Sequence, residues 1–217
     1  MKSLARLKLS NVSCVAVGTF NIYIIQPHYL AQMGALDEGA KVHLETDIRQ
    51  PGFRFQIEGR NIKWNVRPDK LIVQSTSWGD DCGGCIAKVL RCLQWTPIRG
   101  IGVNADFGCN AEAAEALLQG VLLDRNRPEN YEMAQRTWHR GLKSESGLLT
   151  NIQLSLSETK VGLSLNVHTE LANVGVQSEL AERAMAACAA FRDSLEHAVD
   201  LAASILPVEL HYDNVHA

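Results

Sequence analysis

The chain has 217 residues, of which 46% are hydrophobic and 21% are charged, and its formal net charge at pH 7 is -3. These values are typical of a soluble globular protein with a substantial core. The slight negative charge argues against a general attraction to nucleic acid or to anionic membranes, because phosphate binding needs clustered Lys and Arg. No apolar run approaches the roughly 20 residues that a membrane-spanning helix needs.

Two features of the sequence predict a cytoplasmic location. Lys2, Arg6 and Lys8 are not followed by an uninterrupted apolar stretch, so we expect no signal peptide. The six cysteines are sparse for a disulfide scaffold in a chain of this length, so we expect a reducing compartment.

The first third of the chain consists of short apolar runs that are separated by turn residues. It begins with a predicted strand over residues 4–17 and a short helix over 27–33, where Pro27 suits the first turn. Turn chemistry then separates four alternating segments. These four predicted strands are 41–48, 53–58, 61–66 and 71–76. Together they predict an antiparallel meander with one buried face.

The middle of the chain alternates between predicted helices and strands. A helix over 86–93 leads to a strand over 100–107, and Asn110 is a good N-cap for a helix over 111–123. Three further strands are predicted over 134–141, 148–157 and 160–169. The last two alternate clearly around a short polar turn, which is typical of a hairpin.

The order of these elements predicts an α+β fold. We expect one curved antiparallel sheet, or two continuous ones, built from hairpins with helices packed on one face. The last helix, over 178–206, has apolar residues at helical spacing and would be about 42 Å long before Pro207 ends it. In element order, a sheet curved around such a helix resembles START-like helix-grip folds. We expect a single domain over 1–217, within which 1–95 and 96–217 could be similar halves.

Cys82 and Cys85 form a CxxC pair between a predicted strand and a predicted helix. The segment resembles the thioredoxin active site, which implies that Cys82 attacks a disulfide and Cys85 resolves it. Asp80 and Asp81 oppose this chemistry, because adjacent negative charge raises the pKa of a thiol. The alternative is structural: an aspartate caps the helix, Gly83-Gly84 is a flexible turn, and the cysteines are small buried hydrophobes.

Four cysteines are also candidates for a zinc site, because zinc binds thiolates and imidazoles in a tetrahedron. These are Cys82, Cys85, Cys92 and Cys109. Cys85 and Cys92 are separated by about 10 Å of rise in a regular helix, which is too far for one ion. Cys82 and Cys85 with His43 or His139 stay geometrically open. We expect neither a metal nor a cofactor. In the alternative, in which a metal is bound, Cys82 and Cys85 are its ligands.

The sequence lacks the common signatures of hydrolases and nucleotide-binding enzymes. It has no HExxH, no GxSxG and no Walker A sequence. Gly100-Ile-Gly102 lacks the third glycine of a dinucleotide-binding loop, so we expect its glycines to relieve crowding within a strand. His168, close to Glu170 at a strand end, is more typical of a surface residue than of a general base.

Arginines and one tryptophan in the middle of the chain are the binding candidates. They are Arg99, Arg125, Arg127, Arg136, Arg140 and Trp138. On one shared face they would suit an acidic partner or a nucleic-acid backbone, whereas the acidic residues among them favour a solvated face. Trp64 is expected in the core, while Trp78 and Trp95 lie at element ends, where an aromatic ring caps a core or anchors an interface.

These observations favour a non-catalytic binding or assembly protein, a subunit of a larger bacterial complex in the cytoplasm. We expect a protein partner or self-association and no membrane, because the edge strands of an open sheet favour pairing with another chain. One alternative is a thiol-disulfide oxidoreductase that uses Cys82 and Cys85. The other is a carrier of a small apolar ligand between the sheet and the C-terminal helix.

Overall fold

The structure is a computed structural model that describes residues 4–46, 49, 51–110, 135–145, 147–157, 159–171 and 177–212, and within them the chain forms ten strands and four helices. The strands are β1 (Ala5–Gly18), β2 (Val42–Thr46), β3 (Phe53–Ile57), β4 (Lys63–Val66), β5 (Lys70–Ser75), β6 (Ile98–Asn110), β7 (Gln135–Lys143), β8 (Leu149–Ser157), β9 (Lys160–Glu170) and β10 (Val208–His211). The helices are α1 (Pro27–Gln32), α2 (Cys82–Cys92), α3 (Gln177–Ala189) and α4 (Phe191–Ile205).

All ten strands belong to one sheet in the order β2-β3-β4-β5-β1-β6-β9-β8-β7, with β10 paired to β1. The long strand β1 lies at the centre, where one edge pairs with β6 and the other pairs with β5 and β10. Neighbouring strands are antiparallel except for the β1–β10 pair, which is parallel. The predicted α+β class with an antiparallel sheet is confirmed.

The sheet has one apolar face and one polar face, because successive side chains of a strand point to opposite sides. In β5, Leu71 and Val73 are buried, whereas Gln74 between Val73 and Ser75 is half-buried. Across the β1–β5 ladder, Cys14 faces Val73 and Ser13 faces Gln74. We call the side with Cys14 and Val73 the helix-covered face, and the side with Ser13 and Gln74 the polar face.

Helices α2, α3 and α4 form a layer against the helix-covered face. α2 packs on β1 and β5, α4 packs on β6 and β9, and α2 and α3 pack against each other. The buried residues of α2, including Ile86, Val89 and Leu90, recur at helical spacing and join the same core as the strands. The burial of these apolar side chains is the main stabilisation that the fold provides.

The predicted single helix over 178–206 is wrong. α3 ends at Ala189 and α4 begins at Phe191, with Ala190 between them. The chain turns where the Cys188 carbonyl and the Phe191 side chain lie against Gly83 of α2. Because the apolar periodicity continues through Ala190, it could not locate a break that depends on packing against another helix.

Other boundaries differ at the elements that depend on distant partners. β10 was not predicted, and it is a strand only because β1 offers a free edge to residues 208–211. Helix α2 begins at Cys82, so Gly83 and Gly84 belong to its first turn and the predicted flexible turn is wrong. The predicted helix over 111–123 lies outside the described residues. No helix in the described ranges combines the length and apolarity needed to cross a membrane.

Candidate functional site

The CxxC pair occupies the first turn of α2, as its position between a strand and a helix predicted. Asp81 is the N-cap, and its Oδ1 accepts a hydrogen bond of 2.7 Å from the Gly84 amide. A Cβ atom at Gly84 would lie 2.1 Å from the second carboxylate oxygen of Asp81, so glycine leaves room for the cap. Cys82 is fully buried and Cys85 is half-buried.

Gly83 has a different role, because it is the point where the helix layer is most closely packed. A Cβ atom there would lie 2.2 Å from the Cys188 carbonyl oxygen and 2.4 Å from Cβ of Phe191. Only glycine permits this approach between α2 and the junction of α3 and α4. The two glycines of the CxxC segment are therefore explained by a cap and by helix packing.

The surroundings of both thiols oppose formation of a thiolate. Burial, followed by the negative charges of Cys85, Asp80 and Asp81, holds the pKa of Cys82 well above its usual range. Burial and then Asp81 raise the pKa of Cys85 to about 11. The nucleophilic form of a cysteine is the thiolate, so both thiols are poor nucleophiles near neutral pH.

Two more buried thiols lie in the same part of the core. Cys14 on β1 and Cys188 on α3 are both fully buried, and the Cys82 sulfur lies 4.0 Å from the Val12 carbonyl oxygen. A hydrogen bond with Cys188, followed by burial, raises the pKa of Cys14. Cysteines in such surroundings behave as small hydrophobic residues.

The residues considered for zinc are not brought together. Cys92 is exposed at the end of α2, while His43 and His139 lie on the two outermost strands of the sheet, β2 and β7. Among the described residues, no group of three or more His, Cys, Asp or Glu side chains is placed to hold a metal ion. Within the described part of the chain, Cys82 and Cys85 therefore have no further ligands to complete a tetrahedral site.

The predicted arginine and tryptophan set is divided over the sheet. Trp138 and Arg140 are neighbours on the outermost strand β7, with the guanidinium carbon 5.4 Å from the ring centroid. Arg99 is exposed on β6, three places away in the strand order. Arg136 also lies on β7, and Arg125 and Arg127 fall outside the described residues. Of the set, Trp138 and Arg140 form the one contact that the described side chains show.

Two of the four tryptophans, Trp64 and Trp78, are buried in the core, whereas Trp95 is exposed. Trp64 is buried and stacks on Phe55 with ring centroids 5.5 Å apart. Trp78 is also buried, and it stacks on Tyr212 at 4.3 Å while Arg192 lies over its ring. Trp95, by contrast, is 84% exposed.

Trp95 is one of four large exposed apolar side chains in two segments, the one between β1 and β2 and the one between α2 and β6, which are hydrogen-bonded to each other beside the end of β1. We call these four side chains the aromatic end, and its members are Tyr23, Ile24, Tyr29 and Trp95. Tyr23 is 74% exposed. The chain leaving β1 binds both neighbouring loops there, because the Thr19 amide donates to the Pro97 carbonyl and the Phe20 amide donates to the Pro68 carbonyl.

Local turns hold the backbone at the two most exposed residues of the aromatic end, Tyr23 and Trp95. The side-chain oxygen of Asn21 accepts a hydrogen bond of 3.0 Å from the Tyr23 amide. The backbone carbonyl of Asn21 accepts a second one, of 3.1 Å, from the Ile24 amide. Trp95 lies in a turn closed by a 3.0 Å hydrogen bond from the Thr96 amide to the Leu93 carbonyl. A hydrogen-bonded turn reduces the backbone entropy that the loop loses on binding a partner.

Sequence patterns identified only part of this surface. Trp95 was recognised because it follows a predicted helix end, whereas Tyr23, Ile24 and Tyr29 have no periodicity that separates an exposed ring from a buried one. A residue's exposure in a connecting segment depends on how that segment packs on the rest of the protein.

A row of polar side chains crosses the polar face, one from each of eight neighbouring strands. In order from β2 to β8 these are His43, Gln56, Lys63, Gln74, Ser13, Asn104, Asn166 and Asn151. We call this set the polar row. Beside it, a Cβ atom at Gly100 would lie 2.8 Å from the His168 ring, so this glycine relieves crowding within the sheet as predicted.

A scan against protein-family models and a search of curated proteins both find no match for this chain.

Proposed function

We propose that this protein is a non-catalytic binding or assembly protein, a subunit of a larger cytoplasmic complex that contacts a protein partner through the aromatic end. The exposure of Trp95 on a hydrogen-bonded turn is the observation that carries the proposal. Exposed clusters of large apolar side chains mark interaction sites, and Trp and Tyr are enriched among the residues that dominate binding energy.

The second contact that we propose is the outermost strand β7, with Trp138 and Arg140. Tryptophan and arginine are enriched at protein interfaces, and stacking of the guanidinium on the ring orders both side chains before binding. An edge strand can also pair with a strand of another chain, including a second copy of this protein. The curvature of the sheet and the two similar halves, 1–95 and 96–217, stay predictions alongside this proposal.

The two alternatives have less support. Thiol–disulfide exchange requires a thiolate at Cys82, and burial and neighbouring carboxylates disfavour it. A Cys82→Ser variant that lost a disulfide reductase activity of the native protein would favour this alternative. A carrier of an apolar ligand needs space between the sheet and the C-terminal helices, where Phe191 and Leu195 are buried in a contiguous core. An apolar molecule recovered by organic extraction, followed by mass spectrometry, would favour that alternative.

The test of the proposed function compares two variants by native mass spectrometry after gentle purification from the protein's own host. The native chain is expected to appear at a mass that includes a partner or a second copy. In a Tyr23→Ala/Trp95→Ala variant we expect that assembly to be lost, because truncating a central interface aromatic costs about 2 kcal/mol or more.

A Leu4→Ser variant is the matched control for the loss of exposed apolar surface. Leu4 is 49% exposed and lies just before β1, whereas the aromatic end follows the other end of that strand. This variant should keep the assembly. A bare monomer for the native chain, or equal loss in both variants, would contradict the proposal.

A further inference from the structure

The two halves of the polar row differ in their hydrogen bonding. On β1, β6, β9 and β8 its members bond to one another: Asn151 donates to Asn166 (3.2 Å), Asn166 donates to Asn104 (2.7 Å), and Asn104 donates to Ser13 (3.1 Å). This half of the row uses most of its polar groups within the protein.

On strands β2 to β5 the polar face is a groove of about 690 Å³ whose polar side chains are largely unused. Its lining includes Arg54, Lys63, Asn65 and Gln74. In the part of the chain that the structure describes, none of these four side chains has a hydrogen bond or an ion pair. The volume falls in the range of sites that bind small molecules, about 300–1,000 Å³.

Positive charge dominates the centre of this groove. Asn65 faces Arg54 and Gln56 faces Lys63 across the β3–β4 ladder, so Arg54 and Lys63 are diagonal neighbours on the polar face, with Cα atoms roughly 7–8 Å apart. Glu45 faces Arg54 from β2, and within the described chain the two form no ion pair. Two neighbouring cations without a partner repel each other, and an anion bound between them would remove that repulsion.

A pocket that adjoins the groove contains a buried donor without a hydrogen-bond partner. Arg67 lines this pocket, which shares Glu45, Arg54 and Asn65 with the groove, and its Nε atom is buried and unbonded, with Asp69 Oδ1 3.5 Å away in an ion pair. Buried N–H groups are nearly always bonded, so an unbonded one beside a groove indicates the place of an acceptor oxygen.

We propose that the groove on the polar face of β2–β5 binds a small organic anion through carboxylate or phosphate oxygens. Arg54 and Lys63 bind the charged group, and Arg67 Nε donates to an oxygen at the groove end. Asn65 and Gln74 donate or accept at the uncharged part of the ligand, which the polar lining favours over an apolar one. This site is separate from the aromatic end, so either proposal can fail without the other.

The test follows the arginine Nε–Hε resonances of the ¹⁵N-labelled protein while citrate, pyrophosphate or uncharged glucose is added at low ionic strength. We expect saturable shifts at Arg54 and Arg67 with at least one of the two anions and none with glucose. Arg54→Gln and Lys63→Gln should each weaken binding of that anion roughly tenfold, because each removes a charge-assisted hydrogen bond. Tighter binding of citrate would identify a carboxylate ligand, and tighter binding of pyrophosphate a phosphate ligand; both support the proposal.

Two charge variants separate a built site from a general effect of net charge. Glu45→Gln removes the groove's carboxylate and should strengthen anion binding, whereas Lys88→Gln, at an exposed position on α2, should leave it unchanged. The Lys63 variant retains the test if the Arg54 variant does not fold, since Lys63 is exposed. Equal weakening by Lys63→Gln and Lys88→Gln, or no shift with either anion, would overturn the proposal.

Discussion

Gly83 illustrates how one residue can decide the packing of the helix layer. Its missing side chain lets the carbonyl of Cys188 and the ring of Phe191 reach α2. Glycine inside a helix normally costs about 1 kcal/mol relative to alanine. At Gly83 the clash that a larger side chain would make outweighs this cost. The atoms in the way are a backbone oxygen and the Cβ atom of a side chain, and neither can rotate away.

We therefore predict that Gly83→Ala lowers the free energy of unfolding by about 1–3 kcal/mol, the usual range for overpacking, despite the better helix propensity of alanine. Urea denaturation would measure the change. The matched control is Gly79→Ala, since its Cβ atom would meet only the Ser77 hydroxyl oxygen at 3.7 Å. A stabilised Gly83 variant would mean that the helices are not as closely packed as the structure has them.

The thiols of the CxxC pair give a second prediction at this scale. With its pKa raised to about 11, Cys85 is a thiolate in roughly one molecule in a thousand at pH 8. We expect iodoacetamide to modify it roughly a hundredfold more slowly than an ordinary exposed thiol. Peptide mass spectrometry over time would show this, with exposed Cys92 as the control in the same sample. Equal rates would revive the redox hypothesis.

The same pKa shift has a consequence for stability. A thiol whose pKa is raised on folding favours the folded state below its unfolded pKa of 9.0, and this contribution is lost as the pH rises to about 11. The free energy of unfolding should therefore fall over that interval. In a Cys85→Ala variant the free energy of unfolding should fall less steeply with pH. Part of the pH dependence should remain, because the pKa values of Cys82 and Cys14 are also raised.

At the scale of elements, the polar row shows how strands use the face that helices do not cover. Asn166 on β9 is the central member of its bonded half, because it donates to Asn104 on β6 and accepts from Asn151 on β8. Side-chain pairs directly across neighbouring strands are the unit of sheet stabilisation. The amides therefore connect three strands whose opposite faces contact the core.

Asn166→Ala should lower the free energy of unfolding by about 1–3 kcal/mol, since it removes two hydrogen bonds and leaves two half-buried amides with fewer partners. Gln153→Ala is the control, because Gln153 is exposed on β8 and has no side-chain hydrogen bond in the described part of the chain. Urea denaturation of both variants would distinguish them. Equal stabilities would show that water replaces the amide contacts.

At the scale of the whole molecule, the strand order is nested around the β1–β6 pair. On one side β5, β4 and β3 follow outward from β1, and on the other side β9, β8 and β7 follow outward from β6. In each case the last strand of a meander returns to pair with the long strand that precedes it. The two central strands join both meanders into one sheet, and α2 and α3 join them again in the helix layer.

Much of this architecture could be predicted from local patterns, and the errors have a common cause. The meander β2–β5, the hairpin β8–β9 and the N-cap of α2 depend on alternation, turn residues and a short polar side chain, all of which act within a few residues. The break at Ala190 and the existence of β10 depend on surfaces from elsewhere in the chain. The candidate site was partly predicted at Trp95, Trp138 and Arg140, whereas the groove beside Arg54 and Lys63 was not.

The sequence by itself determined which faces of the strands are apolar, where most turns lie and where α2 is capped, because these properties follow from the order of neighbouring residues. Only the tertiary structure decided the order of the strands and the exposure of Trp95 as against the burial of Trp64. These results depend on contacts between residues far apart in the chain, and no local pattern specifies which distant surfaces will meet.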